Sequence, residues 1–485
     1  MTGDDTERIA PSLSTTTPEA AAEHVPSDAT LLVSGFGRAG YPKAVPLALA
    51  ESDRDHSLTV VSGGSLGDEV DTELMATGKI TRRYPFQATE TARERINDGR
   101  VAFHDRHIAQ LGDEVRRGQY GVPDVALVEA VAVGEGWLVP TTSIGHTPAY
   151  VAAARRLVVE VNHAQPLALR RVHDIYDRGT PPGRDAIPLS TPGERIGSPR
   201  VDFDPSKLVA VVETDRADSP YTFREPTGVD EAIAENLTAF LAREVETNPL
   251  FEERVTLQFG VGSLGNALMS AFADTNFENR SVSYYGEVIQ DGLLDMLDRD
   301  QLDAASATSL ALSSEGQRRL FDDIDRYADD VVVRNADVSN SPALVDRFGV
   351  VAVNSALDVD LYGHVNSTHL SGTHVVSGIG GSGDFTRASP LSVIALASTA
   401  REGSVSRVVP MVPHVDHTEH DVDVVVTEQG VADLRGLSPR ERARTLVDEC
   451  AHPDYRAALS AYLDRAGDGG GNVPHDLESA FDWQE

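Results

Sequence analysis

At 485 residues the chain exceeds what one hydrophobic core serves, and its 40% apolar content with 40 Gly and 26 Pro excludes a wholly disordered polymer. Asp and Glu number 76 against 42 Lys and Arg, a net charge of −34 that excludes nucleic acid and anionic membranes as large partners. Lysine occurs only at Lys43, Lys79 and Lys207, a pattern that reads as a protein of a salt-rich cytoplasm, where salt screens self-repulsion. The acidic opening residues are followed by no apolar stretch and predict no export signal. No apolar run approaches the ~18 residues that span a bilayer, so a cytoplasmic protein without a membrane partner is expected. A single cysteine, Cys450, forbids an internal disulfide and a cysteine zinc cluster, and is expected in a buried helix.

Short apolar or β-branched runs predict strands over 29–34, 57–62, 125–130, 156–161, 208–213, 255–260, 331–334, 349–353, 391–397 and 422–427. Most lack alternation, as strands covered on both faces do. Helices are predicted between them, including 230–244, 266–272 and 439–450. The last opens on Ser438, Pro439 and Glu441, a capping box with proline at its first position. Alternating strands and helices predict an α/β fold of two open domains with mainly parallel sheets. The polar, proline-containing stretch 214–229 marks the boundary, giving domains 1–225 and 226–466, with 467–485 an acidic mobile tail.

Three glycine-rich loops stand out: Gly63-Gly64-Ser65-Leu66-Gly67 after the strand 57–62, Gly260-Val261-Gly262-Ser263-Leu264-Gly265 between a strand and a helix, and Gly378-Ile379-Gly380-Gly381-Ser382-Gly383-Asp384-Phe385. Glycine lets backbone N–H groups approach a ligand, and a helix that follows can hold phosphate or a developing oxyanion. Each is equally well a plain tight turn. The second matches the dinucleotide fingerprint, with Glu287 lying 22 positions after Gly265, so a nicotinamide dehydrogenase is one reading. Against it, the motif sits mid-chain and Glu287 does not end a second strand of such a half.

Glu287 follows a short strand ending at Gly286, with a helix predicted from about Asp291 as its cap. A carboxylate at the carboxyl end of a parallel strand is where α/β enzymes hold reacting groups, though from the residues alone a carboxylate that binds local backbone amides is the favoured reading. His414, His417 and His420 carry metal-like spacing, but Pro413 and the preceding apolar run predict a strand and loop, so no metal site is assigned and the histidines read as structural. The sequence around Ser382 has the wrong spacing for a serine-hydrolase elbow.

Taken together, GFGRAGYPKAVP at 35–46, RRYPFQ at 82–87, PTTSIG at 140–145, the loop at 260–264, GEVIQD at 286–291, and the segments 354–367, 378–385 and 424–436 resemble the acetyl-CoA hydrolase/transferase family. The likeness runs from about 35 to 455 and is nearest to succinyl-CoA:acetate CoA-transferases and acetyl-CoA hydrolases. It removes the dehydrogenase reading and selects Glu287 as nucleophile.

The resemblance implies two related α/β domains with the active site at their interface, a homodimer, coenzyme A as substrate rather than resident cofactor, and acyl-CoA plus small carboxylates as reactants. It implies that Glu287 passes through an acyl anhydride and a glutamyl-CoA thioester, and that the amides of Val261 and Gly381 bind the oxyanion. Gly260, Gly262, Ser263 and Leu264 would form the CoA loop, with Asn340, Leu357, Ser377, Gly380, Arg401 and Glu428 lining the site. Three positions depart from the family pattern: Arg401 replaces lysine, Ser377 replaces asparagine, and Ser219 stands where an arginine is expected after Asp218. A forked guanidinium and a missing cation both bear on which carboxylate is accepted.

Overall fold

The computed structural model describes residues 7–219, 224–260, 262–273, 277 and 280–483. Contacts divide the chain into two units. The first holds 1–222, 285–297 and 303–344; the second holds 223–284, 298–302 and 345–485. A single cut near 225 was expected, and the first passage falls there. The chain then returns to the first unit between Tyr284 and Tyr285, so Glu287 belongs with the N-terminal half rather than the C-terminal one. The reason is local: Gly286 N donates to Ser306 O and the carbonyl of Glu287 accepts from Thr308 and Ser309, all within that unit.

In the first unit seven parallel strands run in the order Leu208–Thr214, Arg156–Asn162, Val125–Val133, Asp28–Val33, Ser57–Ser62, Ile80–Tyr84 and Ala102–Phe103. Val125–Val133 is buried at all nine positions, which is why it reads as an unbroken apolar run instead of alternating. Leu31, Val33, Leu58, Val60, Leu127 and Val158 share one core with Leu49 and Leu74 from covering helices. Three further parallel strands, Ala304–Ala307, Val331–Arg334 and His173–Asp174, follow in the same unit.

The second unit carries Val424–Thr427, Leu391–Ala395, Val350–Ser355, Arg254–Phe259 and all but the last residue of Ser281–Tyr285 in parallel, with Gly430–Asp433 antiparallel at one edge. The expected α/β architecture is therefore present. The helix Pro439–Thr445 has its capping box at Ser438 and Glu441. Its continuation Leu446–Cys450 widens to a π turn, with Ala451 N bonded to Leu446 O at 3.0 Å. Cys450 is wholly buried there, its carbonyl held by Thr427 and its thiol 3.3 Å from Val425 O.

The tail expected to be mobile is packed. Ala480 is fully buried in the second unit's core, Trp483 lies against it, and Pro474 O accepts from the Tyr362 hydroxyl. Apolar residues among the acidic ones account for the difference. Among the described residues no helix is long and apolar enough to cross a membrane.

Candidate active site

Glu287 leaves a strand whose final side chain, Tyr285, is buried and donates to Val338 O at 2.5 Å. The backbone after Tyr285 is bound on both sides. Thr308 N and Ser309 N donate to Glu287 O at 3.0 and 3.2 Å, and Val288–Ile289 pairs in parallel with Ser309–Leu310. Ser309 Oγ in turn donates to Phe36 O at 2.7 Å. The 140–145 segment grips the same strand: Leu310 N reaches Thr142 O at 2.9 Å, Ile144 N reaches Thr308 O at 3.0 Å, and Gly145 N reaches Thr308 Oγ1 at 3.1 Å. Phe36, Val288, Ala311 and Ala336 then close a small buried cluster. Two of the quoted sequence segments thus converge on the peptide of the proposed nucleophile.

The Glu287 side chain is partly exposed, and its Oε1 accepts from Asn340 Nδ2 at 2.8 Å. Asn340 is fully buried, follows the short helix Ala336–Ser339, and has its own Oδ1 held by Ser339 Oγ at 2.9 Å. The amide is therefore oriented with its NH₂ toward the carboxylate. Such an arrangement orients a partly exposed carboxylate, the residue type that can attack an electrophile without a general base. Asp291 does not cap its helix as expected. Its carboxylate accepts from Ser313 N and Oγ at 3.0 and 2.9 Å, joining two helix starts.

Behind the 35–46 and 140–145 segments lies a buried charge cluster that sequence reading missed. Lys43 Nζ donates to Glu129 Oε2 at 2.6 Å and Tyr41 O at 2.7 Å, and lies 2.9 Å from Asp218 Oδ1, with all three side chains at or near zero exposure. Asp218 also accepts from Gly40 N, Gln165 and the Thr142 hydroxyl, and Glu129 accepts from Thr141 and Asn162. One cation cannot neutralise two carboxylates in a dry interior, and burial pushes the Glu129 carboxyl up to about 8. Glu160 completes the region by accepting from the N–H groups of Lys43, Ala44 and Val45, capping a helix from 115 residues away. A lone Glu within an apolar strand, VALVEAVAV, was the available signal.

In the second unit Gly260 N donates to Val353 O at 3.0 Å, Gly262 adopts φ +146°, and the helix Ser263–Ala273 begins immediately after. Leu264 and Gly265 lie in its first turn. Val261, expected to donate to the oxyanion, lies outside the described residues. The third loop turns through Gly380 at φ +59° and Gly381 at φ −87° into the helix Ser382–Ala388. The Gly381 N–H meets no acceptor among the described residues. Asn354 Nδ2 donates to Thr386 Oγ1 of that helix at 3.1 Å and its Oδ1 faces Gly260, so the two loops sit at neighbouring strand ends.

Ser377 Oγ donates to its neighbour's carbonyl, Gly378 O, at 3.3 Å. Glu428 accepts from Ser398 N at 2.8 Å, from the Ser398 hydroxyl and from Gln429; burial would raise its carboxyl, but these donors outweigh it and hold it below the usual range. Leu357 and Arg401 line one cavity together with Leu370, Arg407, Pro413 and Trp483. Arg401 is exposed and sits at φ +48°, in the left-handed region. The histidines pair with acids and hydroxyls: His414 lies 3.2 Å from Asp416, His420 3.4 Å from Glu419, and His417 3.3 Å from Ser382 Oγ. Ser382 itself donates to Ile379 O at 2.7 Å.

A half-exposed carboxylate at a strand end, glycine turns opening helices and a cavity walled by arginine are features of an α/β enzyme. Two family models match, the acetyl-CoA hydrolase/transferase N-terminal domain over 11–213 and its C-terminal domain over 316–463. The chain is 41% identical over 473 residues to the succinyl-CoA:acetate CoA-transferase of Clostridium kluyveri, covering 96% of this chain and 88% of that one. It is 37% identical over 471 residues to the acetyl-CoA hydrolase of Candida glabrata, covering 92% and 89%. The crystal structure of RipA from Yersinia pestis superposes with a TM-score of 0.72 at 23% identity over 95% of this chain and 97% of that one, a likeness of fold. The chain belongs to the acetyl-CoA hydrolase/transferase family.

Proposed function

We propose that this protein moves coenzyme A between a short acyl-CoA, such as acetyl-CoA, and a free carboxylate such as acetate, with Glu287 as covalent nucleophile. The observation that carries the reading is the Glu287 carboxylate, partly exposed at a strand end and oriented by Asn340, in a chain 41% identical to a succinyl-CoA:acetate CoA-transferase.

A glutamate oxygen attacks the thioester carbonyl, forming an acyl-glutamyl anhydride and releasing CoA thiolate. The thiolate attacks the glutamyl carbonyl, giving a glutamyl-CoA thioester and the first free carboxylate. The acceptor carboxylate then attacks this thioester, regenerating thiolate and a new anhydride; thiolate attack on the acyl carbonyl yields the new acyl-CoA and free Glu287. Carboxylate is the right residue type because it needs no general base and its anhydride keeps the acyl group activated. Each step develops negative charge on a carbonyl oxygen, for which the amides of Val261 and Gly381 are the assigned donors; loss of one such donor typically costs ~3 kcal/mol. Gly260, Gly262, Ser263 and Leu264 would receive CoA, with Leu357, Ser377, Gly380, Arg401 and Glu428 around the substrate. Ser219 in place of an arginine leaves a dicarboxylate such as succinate with less charge to hold it.

A second reading, hydrolysis with water as final acceptor, is favoured by the 37% identity to an acetyl-CoA hydrolase. The test is an acceptor screen with acetyl-, propionyl-, succinyl- and 4-hydroxybutyryl-CoA. The transferase reading expects new acyl-CoA to appear faster than free CoA when carboxylate is added; free CoA at an acceptor-independent rate contradicts it.

The setting proposed is the salt-rich cytoplasm, with the protein as a homodimer. All three lysines bond backbone carbonyls: Lys43, which is buried, bonds Tyr41 O, while the partly exposed Lys79 bonds the Leu49, Ala50 and Ser52 carbonyls and Lys207 those of Val151 and Ala152. Surface cations are otherwise arginine or absent, in keeping with selection against exposed ammonium groups.

A further inference from the structure

The histidine segment 414–420 has no part in the chemistry above, yet one of its members is set apart. His417 is only 2% exposed, whereas the side chains of His414 and His420 are 36% and 81% exposed. Its backbone is locked to the strand Val365–Asn366: His417 N donates to Val365 O at 3.1 Å, and Val365 N to His417 O at 2.9 Å. Its ring nitrogen Nε2 lies 3.3 Å from Ser382 Oγ.

Ser382 Oγ donates its single proton to Ile379 O at 2.7 Å. It therefore meets His417 as an acceptor, and Nε2 carries the hydrogen. The resulting chain runs from Nε2–H of His417 to the serine hydroxyl and on to the carbonyl of Ile379. It spans both ends of the Gly380–Gly381 pair, whose torsions no local side chain limits. Those torsions set the direction in which the Gly381 N–H points.

We propose that His417 is a positioning residue for the oxyanion loop, fixing the Gly381 amide through Ser382. The inference rests on the reading of Gly381 as an oxyanion donor. A donor earns its effect only when aimed at the oxygen of the tetrahedral species, and displacement by about 1 Å can cost up to ~100-fold in rate. A merely structural histidine would instead lower stability and leave the rate of the folded enzyme alone.

The test uses the full-length protein with His417→Leu, His417→Gln, Ser382→Ala and the double variant His417→Leu/Ser382→Ala. We measure kcat and KM for acetyl-CoA with a carboxylate acceptor, the melting temperature, and the covalent adduct on Glu287. His417→Leu should lower kcat about tenfold or more with KM within about twofold of wild type, the pattern of an interaction made in the transition state. His417→Gln, which keeps an N–H donor, should recover most of the rate. Ser382→Ala should match His417→Leu, and the double variant should be no slower than either. Wild-type kcat in His417→Leu or Ser382→Ala, no rescue by glutamine, or losses that multiply in the double variant would each overturn the proposal. If His417→Leu does not fold, Ser382→Ala and His417→Gln still decide it. An adduct in wild type with unchanged rates in these variants sinks only this inference, whereas no adduct in wild type sinks the reading of Glu287.

Discussion

Asn340 Nδ2 lies 2.8 Å from Glu287 Oε1, and its other amide atom is held by Ser339, so a buried residue 53 positions away fixes the rotamer of the proposed nucleophile. Hydrogen bonds to charged groups contribute about 1.5–3 kcal/mol, which corresponds to roughly tenfold to hundredfold in rate. Asn340→Ala should lower kcat by that factor. Steady-state kinetics alongside a melting curve checks it: the rate should fall with little change in melting temperature. Asn340→Asp, which sets a like charge beside the carboxylate, should be slower still.

The Lys43 cluster makes a prediction about stability. Removing one partner of a buried pair leaves an uncompensated charge and costs about 3–5 kcal/mol. Lys43→Met should lose that much in denaturant unfolding, and Lys43→Met/Glu129→Gln/Asp218→Asn should regain a large part of it. Glu129 adds a pH dependence. Its folded carboxyl is raised to about 8, so the folded state binds the proton more tightly and stability declines as pH climbs from the ordinary carboxylate range toward about 8. Glu129→Gln should flatten that slope.

His364 carries the same alkaline trend for a different reason. Its ring lies between two acids, Nδ1 at 3.1 Å from Asp360 and Nε2 at 2.6 Å from Glu419. The Asp360 hydrogen bond is the largest cause that raises its pKa, with burial opposing and Glu419 assisting. The folded value exceeds the unfolded one, so this stabilisation is complete below the ordinary histidine range and is lost as pH rises through the raised value. The melting-temperature gap between wild type and His364→Asn should therefore be wide near pH 6 and narrow near pH 9.

The net charge of −34 predicts that the melting temperature rises from dilute to molar salt, because screening at a Debye length of about 3 Å in 1 M salt relieves self-repulsion. An unchanged curve contradicts the salt-rich setting. Lys79→Met, which frees the carbonyls of Leu49, Ala50 and Ser52, should destabilise at every salt concentration by about 0.5–1.5 kcal/mol per bond lost.

Much of the fold was legible because its strands are buried on both faces: Val125–Val133 and Val350–Ser355 announce themselves as apolar runs. The capping box of Ser438 was legible because its partners are three residues apart. What lay beyond reach was contact at long range. Nothing near Asp291 reports that Ser313 claims its carboxylate, and nothing near Glu287 reports that its peptide is bound by Thr308 and gripped by 140–145. The packed end of the chain escaped for a related reason, since Ala480 and Trp483 are apolar residues in a largely polar stretch, and the Tyr362 hydroxyl that bonds Pro474 O lies 112 positions back. Glu287 was visible only as a carboxylate after a strand. Its selection came from the resemblance of the surrounding segments, and Asn340 acquires its part only in three dimensions.

Intact-protein mass spectrometry after rapid mixing with acyl-CoA, followed by peptide mapping, tests the central assignment most directly. Wild-type protein should gain the mass of a glutamyl-CoA thioester, borohydride should convert that glutamyl group to an alcohol on the peptide containing Glu287, and Glu287→Ala should show neither adduct nor turnover while melting normally. Rapid turnover with no adduct at position 287, or activity above a few per cent in Glu287→Ala, would contradict the account.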